Sequence, residues 1–322
     1  MRIRGIEKTE REKVLDLLQE WFGDREFFRR YFEHDPGFRD DRCLVAEEDG
    51  RFVATLQIFP RTIAVGEARL RVGGIGNVFT TESHRMRGVA SRLLSRAIEL
   101  MAEDGCDLSL LFATRLSFYG RLGWRPVRRL LGTLRTPARL PRPATEIEPF
   151  RLERHLERVM EIYRRYSGGL PGAAVRDRRY WEGQLRYAGN PDERFLVACR
   201  DGEPVAYVRE TKLYGIETVT EHGALPGCED ALADLYTVLG AETRDSGILL
   251  FHLGADLDLA ERLRARGFGV EEVEDMFWMW RVVRPESLAE KLGLPVEEVE
   301  APGFFEKLFP YRGSVFWTSD RF

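Results

Sequence analysis

Two arginines and a glycine interrupt the passage from an apolar strand to an apolar-striped helix, and the chemistry of this chain starts there. Residues 77–90 read Asn-Val-Phe-Thr-Thr-Glu-Ser-His-Arg-Met-Arg-Gly-Val-Ala. Upstream, Val72 to Thr80 is mostly apolar with β-branched residues, as a buried strand is. From Val89 the apolar positions Val89, Leu93, Leu94, Ala97, Ile98 and Met101 keep helical spacing. The turn Arg85-Met86-Arg87-Gly88-Val89-Ala90 therefore falls where a helix begins, and a helix start offers free N–H groups and partial positive charge. Glycine lets a phosphate approach the backbone, and the arginines add attraction. The chemistry implied is pyrophosphate binding, although such turns also occur in ordinary loops.

The next segment weighs for the chemistry. Asp107-Leu-Ser-Leu-Leu-Phe-Ala113 reads as a second strand, followed by Thr114-Arg-Leu-Ser-Phe-Tyr-Gly-Arg-Leu-Gly-Trp-Arg-Pro126. This succession resembles the GNAT acetyltransferase superfamily. Its acetyl-CoA motif, R/Q-x-x-G-x-G/A, is matched by Arg85, Gly88 and Ala90, and its later F-Y-x-x-x-G-F/W motif by Phe118, Tyr119, Gly123 and Trp124. Either motif alone is weak, but the two in order on the right elements make a strong match. The resemblance implies acetyl-CoA as substrate. Backbone groups of Val78, Phe79 and Thr80 would hold the thioester and pantetheine. The turn Arg85, Met86, Arg87, Gly88, Val89 and Ala90 would take the pyrophosphate, with Ser91 as an extra donor and Thr114 at the end of the second strand. Tyr119 would protonate the departing thiolate, since a phenol is a donor at neutral pH. A packed core tyrosine is the alternative for Tyr119.

Size and composition set limits. At 322 residues two domains are favoured over one. Apolar content of 43% and charged content of 32% describe a globular protein with enough core to fold. The net charge of −4 provides no bulk field for nucleic acid. Five of the 49 basic residues are lysines, a bias that proteome composition explains as well as function does. The sequence has no long uncharged run of membrane-spanning length, and Met1-Arg-Ile-Arg-Gly-Ile-Glu7 contains no signal-peptide core. Cys43, Cys106, Cys199 and Cys228 are scattered without metal-type spacing, and the histidines form no ligand cluster. The reading is a cytoplasmic protein without disulfides, metal, nucleic acid or membrane. A homo-oligomer is compatible with it.

An internal repeat organises the rest. Leu44-Val-Ala-Glu-Glu-Asp-Gly-Arg-Phe-Val-Ala54 recurs as Leu196-Val-Ala-Cys-Arg-Asp-Gly-Glu-Pro-Val-Ala206, each a strand, an Asp-Gly turn and a strand. Further on, Leu110-Leu-Phe112 before Arg121-Leu-Gly-Trp124 is echoed by Leu249-Leu-Phe251 before Ala265-Arg-Gly-Phe268. The second copy has lost its chemistry. Between Glu221 and Tyr236 there is no Arg-x-x-Gly turn, the helix there opens on acidic residues that would repel pyrophosphate, and Leu263 stands near the position of Tyr119. The fold expected is α/β (α+β): two tandem GNAT-like mixed-sheet domains, the second degenerate, with a short C-terminal tail. The boundaries read 1–135, 145–284 and 285–322, with the prolines at 137, 141 and 143 as linker.

After a last strand, Met276 to Val283, a helix Pro285–Leu292 leads to Gly303-Phe-Phe-Glu-Lys-Leu-Phe-Pro310 and to Val315-Phe-Trp-Thr-Ser-Asp-Arg-Phe322. An aromatic terminus can simply dock onto a groove. The tandem arrangement, the Tyr119 motif and the terminal phenylalanine also look like the enhanced intracellular survival (Eis) family. That family carries a full third domain, which this chain is too short to hold. The resemblance implies that the carboxylate of Phe322 reaches the active site as a base. The acceptor would be a small-molecule amine or a protein lysine. Trp21, Phe22, Phe27, Phe28, Tyr31 and Phe32 crowd the acceptor side, where helical spacing favours core over pocket, and Asp24, Glu26 and Asp35 could attract a cation. The alternative from another class is a non-catalytic acyl-CoA-binding regulatory protein, which would keep the turn but need not keep Tyr119.

Overall fold

The computed structural model describes residues 1–187, 193–242 and 248–322. Its fourteen described strands, in chain order, are β1 (Arg2–Gly5), β2 (Cys43–Glu48), β3 (Arg51–Val65), β4 (Ala68–Thr80), β5 (Leu108–Phe112), β6 (Arg125–Pro126) and β7 (Arg129–Arg135), then β8 (Glu146–Pro149), β9 (Arg194–Arg200), β10 (Glu203–Leu213), β11 (Ile216–Ala224), β12 (Leu249–His252), β13 (Gly269–Asp275) and β14 (Trp278–Val282). They form two mixed seven-stranded sheets, ordered β1-β2-β3-β4-β5-β14-β6 and β13-β7-β12-β11-β10-β9-β8.

The repeat in the sequence is a repeat in space. In each sheet four strands run antiparallel, and the fourth pairs parallel with the fifth: β4 with β5, and β11 with β12. The two echoed hairpins turn at Asp49-Gly50 and Asp201-Gly202. All four residues have positive φ, from 50° to 79°, as a tight two-residue hairpin turn requires.

The sheets exchange one strand each. β7 leaves the first half and inserts between β12 and β13, with Leu134 opposite both Leu249 and Val270. β14 crosses the other way and inserts between β5 and β6, with Trp280 opposite Leu110 and Arg125. The reason is burial on both faces: Trp278, Met279 and Trp280 are all buried, as are Arg129 to Gly132, so neither strand could sit at a wet edge. Each sheet is thus incomplete without chain from the other half.

Helix Val89–Glu103 covers one face of the first sheet with Val89, Leu93, Leu94, Ala97 and Met101. Helices Arg11–Phe22 and Arg25–His34 cover the other face near β2 and β3. Beside them, helices Pro285–Leu292, Val296–Glu300 and Phe304–Leu308 pack on Trp278, Trp280, Leu108 and Leu110. The first of these helices is tied down by fully buried Asp107, which accepts from Ser287 Oγ at 2.9 Å and Lys291 Nζ at 2.7 Å. No helix of the described residues is long and apolar enough to cross a membrane. Among them no group of three or more His, Cys, Asp and Glu is placed to hold a metal ion.

Candidate active site

The basic-glycine turn stands where the spacing put it, between β4 and helix Val89–Glu103. Gly88 is the N-cap residue with φ 74°, and Met86 also has positive φ, 60°, its side chain fully exposed. Nothing lies within 4 Å of where a Cβ on Gly88 would stand, so glycine is required there by conformation and not by crowding. The helix has no side-chain cap and no acid in its first turn, which leaves its N-terminal dipole uncompensated. Arg87 is exposed beside it, and Ala90 and Ser91 are half-buried. Arg85 points elsewhere. Its guanidinium lies 4.6 Å from the centre of the Trp21 ring and its Nε donates to the Thr80 carbonyl at 3.2 Å. Trp21 in turn stacks on Phe79, centroids 6.1 Å apart.

β4 carries a bulge just before this turn. Thr55 faces Phe79, yet Gln57 faces Gly76, so β4 has one residue more than β3 across the interval. Asn77 takes up the irregularity with φ 56°, and its Nδ2 donates to Gln57 Oε1 at 3.2 Å. An extra residue inverts which face each side chain takes. Ile75 and Val78 consequently both pack toward helix Val89–Glu103, while Phe79 packs on the opposite side with Phe59. The parallel ladder to β5 ends at Ile75 and Leu111, although β4 continues to Thr80. Val78, Phe79 and Thr80 therefore extend past the ladder, with exposed Thr114 just beyond β5.

Tyr119 sits on the single turn Leu116–Gly120, half-buried against Phe118 and Trp124 on the helix Val89–Glu103 side of the sheet. Burial raises its pKa, more than Arg115 lowers it, so the phenol keeps its proton at neutral pH. The loop after it is held from the exchanged strand: Arg281 of β14 donates to the Leu122 carbonyl and lies over the Trp124 ring at 5.5 Å.

Phe322 lies on the other face of β4. Its ring stacks on Phe59, with centroids 5.3 Å apart, and meets Phe112 at 6.1 Å. It rests directly on the backbone of Gly74, where a Cβ would come within 2.7 Å of Cε2 and closer still to Cζ and Cε1. Its carboxyl carbon and oxygen are 3.1 Å from where a Cβ on Gly76 would be. Tyr31 Oη donates to the Arg321 carbonyl at 3.3 Å.

A buried ionic cluster fixes the residues before it. The Arg176 guanidinium, with a fully buried side chain, donates to both Asp320 oxygens (2.9 and 2.7 Å) and to both Glu221 oxygens (3.0 and 2.7 Å). Tyr180 Oη donates to Asp320 at 2.8 Å, and Gln184 Nε2 to the Ser319 carbonyl at 2.9 Å. Burial works to raise the Glu221 pKa, but Arg176 and Arg209 outweigh it and hold the carboxyl below its usual value. Glu221 belongs to β11 of the second sheet, so that sheet grips the chain end two residues before Phe322.

Some of the acceptor-side aromatics are core and some are not. Phe28, Tyr31 and Phe32 are buried, whereas Trp21, Phe22 and Phe27 stay exposed. The nearby acids are already engaged. Asp24 caps its helix by accepting from Phe27 N, Glu26 pairs with Arg29 at 3.3 Å, and Asp35 is buried against Arg61 at 2.8 Å. The sequence reading passed over Gly74, Gly76, Gln57 and the Arg176 cluster. The glycines had a signal: three in one strand, Gly73, Gly74 and Gly76, mark a place where something approaches the backbone. In the second half, the helix equivalent to Val89–Glu103 starts at Glu229 and Asp230, with Glu229 accepting from Gly227 N at 2.9 Å.

Comparison with known proteins bears on the family and the fold. Residues 2–127 match the acetyltransferase (GNAT) domain family, so this part of the chain carries a GNAT domain. A relative of Streptomyces avermitilis, described as an uncharacterized N-acetyltransferase, is 30% identical over 155 residues, 44% of this chain and 36% of that protein. The chain thus spans little more than a third of that relative's length. Among solved structures, a probable N-acyltransferase of Enterococcus faecalis V583 superposes with a TM-score of 0.71 at 17% identity, over 90% of this chain and 74% of that one. Eis1 of Mycobacterium abscessus superposes with a TM-score of 0.60 at 16% identity, over 89% and 75%. At such identities these structures establish the shared tandem fold alone.

Proposed function

We propose that the chain is an N-acetyltransferase that moves an acetyl group from acetyl-CoA to a primary amine of a small molecule or a protein lysine. The observation that carries the full reading is the seat of the chain end on Gly74 and Gly76, beside the Asn77 bulge where β4 outruns β5. The pyrophosphate would bind the N-terminus of helix Val89–Glu103 with Arg87, and pantetheine would pair with the β4 edge at Val78, Phe79 and Thr80, reaching past Thr114. The acyl carbonyl then stands between two faces, with Phe322 on one and Tyr119 on the other. The Phe322 carboxylate, as the Eis-like resemblance implies, takes a proton from the acceptor ammonium. The freed amine attacks the thioester carbonyl and a C–N bond forms; the nitrogen sheds its second proton to water as the C–S bond breaks, and Tyr119 gives its proton to the thiolate. Phenolate and carboxylic acid return to their starting states through water. The test is thiol release from acetyl-CoA with spermidine, kanamycin and a lysine peptide as acceptors, in the native chain and in one extended by a single glycine after Phe322. Acceptor-dependent release that collapses in the extended chain supports the reading. Equal release from both removes Phe322 from the chemistry, and no release with any amine leaves only binding.

A further inference from the structure

One polar side chain at the centre of the site has half of its hydrogen bonding unused. Gln57 is 1% exposed, and its Oε1 accepts from Asn77, but its Nε2 is buried with no hydrogen-bond partner among the described residues. A buried donor left unpaired is costly, and natural cores rarely keep one without a use. Register shows where it lies. Gln57 is directly opposite Gly76, and opposed residues present their side chains to the same face. On that face the Phe322 carboxyl group rests against Gly76. The neighbouring polar groups are engaged, the Asn77 amide with Gln57 Oε1, Tyr31 Oη with the Arg321 carbonyl, and the Arg61 Nη groups with Asp35, except for Arg61 Nε, which also has no partner among the described residues.

We infer that Gln57 is the positioning residue of the chain-end carboxylate: with CoA bound, its Nε2 donates to a Phe322 carboxylate oxygen, turning the group toward the acceptor and favouring its charged form. The assignment rests on the proposed role of Phe322 and adds what holds that group in register with β4. Among the described residues, the charged and titratable groups that face the chain end from the surrounding elements include Arg61 with Asp35, Tyr180 with Asp320, Arg129 with Asp275, Arg321, Tyr31, Tyr187 and Cys43. None of them is hydrogen-bonded to Gln57, whose Oε1 accepts from the Asn77 amide; an Asn77→Ala control, which breaks that bond but keeps Nε2, should titrate as native does, so that a shift confined to the Gln57 variants reports the lost donor.

The experiment follows the carboxylate directly. Protein labelled with ¹³C-carbonyl phenylalanine and saturated with CoA is titrated by NMR, and the chain-end carboxylate is followed in native, Gln57→Leu and Gln57→Met forms. A hydrogen bond to a charged group holds its pKa down, so both variants should titrate about one pH unit higher than native. The acid limb of kcat/KM for acetyl transfer to kanamycin or spermidine should move up by the same amount, with CoA affinity unchanged. An unchanged carboxylate titration in a folded variant that binds CoA overturns the assignment. Gln57→Met guards against a leucine variant that fails to fold. The glycine-extended chain separates the two ideas. If it works normally, the terminal base has failed and this assignment with it. If it is inactive while the Gln57 variants titrate as native does, Gln57 alone has been misassigned.

Discussion

Replacing Gly74 by alanine puts one methyl group where the ring of Phe322 now rests. A Cβ there would lie 2.7 Å from Cε2 and closer to two other ring atoms, whereas carbon atoms pack at about 3.5–4.0 Å. The ring must withdraw by about 1 Å or more, and the carboxylate two bonds from its Cβ moves with it. A displacement of about 1 Å at a reacting group is worth roughly 10²-fold in rate. Gly74 does not occupy the left-handed region, so alanine introduces no backbone strain and recovers about 0.4–1 kcal/mol of chain entropy. Overpacking costs about 1–3 kcal/mol, part of which a terminal residue relieves by shifting. Gly74→Ala should therefore lose at most about 2 kcal/mol of stability and about 10²-fold in kcat, with CoA affinity nearly native.

Gly73 supplies a matched control. On the other face of the same strand, a Cβ at Gly73 would come within 2.6 Å of Met101 Cγ and closer still to its sulfur. Gly73→Ala should cost comparable stability, because the crowding is similar, but little kcat, because Met101 lies far along the helix from the turn. Thiol release with acetyl-CoA, calorimetric CoA binding and urea unfolding on both variants separate packing from chemistry. Phe322→Leu keeps the carboxylate and shrinks the ring, so combining it with Gly74→Ala should restore part of the lost kcat. If Gly74→Ala turns over at the native rate, or if the two alanine variants lose kcat equally, the reasoning from the chain-end seat is wrong.

Three further outcomes test other parts. Tyr119→Phe keeps the ring and removes the proton, and should lower kcat about 10²-fold or more while CoA affinity stays near native; a normal rate would reduce Tyr119 to packing. Arg87→Glu places a like charge beside the pyrophosphate site and should weaken CoA binding at least tenfold by calorimetry, with one CoA per native chain; two equivalent sites would restore a cofactor role to the second half. Burial lowers the His222 pKa to about 3 against an ordinary value of 6.5, so the folded state keeps it neutral while the unfolded chain protonates. Stability is then full above about pH 6.5 and falls toward pH 3, by up to about 1.4 kcal/mol per pH unit from this group. His222→Phe should flatten that part of the acid unfolding curve, and an unchanged slope would exclude the group.

Local chemistry was legible in the sequence and long-range placement was not. The Asp-Gly pairs announced two hairpins because few other dipeptides accept positive φ twice in succession. The strand over 72–80 and the helix from Val89 followed from periodicity. The exchange of β7 and β14 left no mark, because a strand buried on both faces reads alike whichever sheet receives it. The direction of Arg85 was hidden for a related reason: its partner, Trp21, is an exposed residue on a helix 64 positions away, and spacing carries no information across that distance. Glu221 read as part of a stretch that had lost its chemistry. It is instead a buried strand residue whose charge is balanced by Arg176, 45 positions earlier.

That balance shows what a half without a cofactor turn contributes. β14 completes the first sheet beside β5, and its Arg281 steadies the loop that follows Tyr119. The second sheet also holds the chain end. A free terminus normally frays, because its last residues lose entropy on ordering and gain few contacts. Here Asp320 is fully buried between Arg176, Tyr180 and Gln184, Trp317 Nε1 donates to Ser167 Oγ at 3.0 Å, and Thr318 bonds His252 at 2.8 Å. Breaking such a cluster by removing one partner leaves a buried charge uncompensated, at about 3–5 kcal/mol. The grip ends at Asp320, so only Arg321 and Phe322 reach onward to β4, and two residues span about 7 Å. So short a tether leaves the last carboxylate little freedom beside Gly76, as the base proposed above would need.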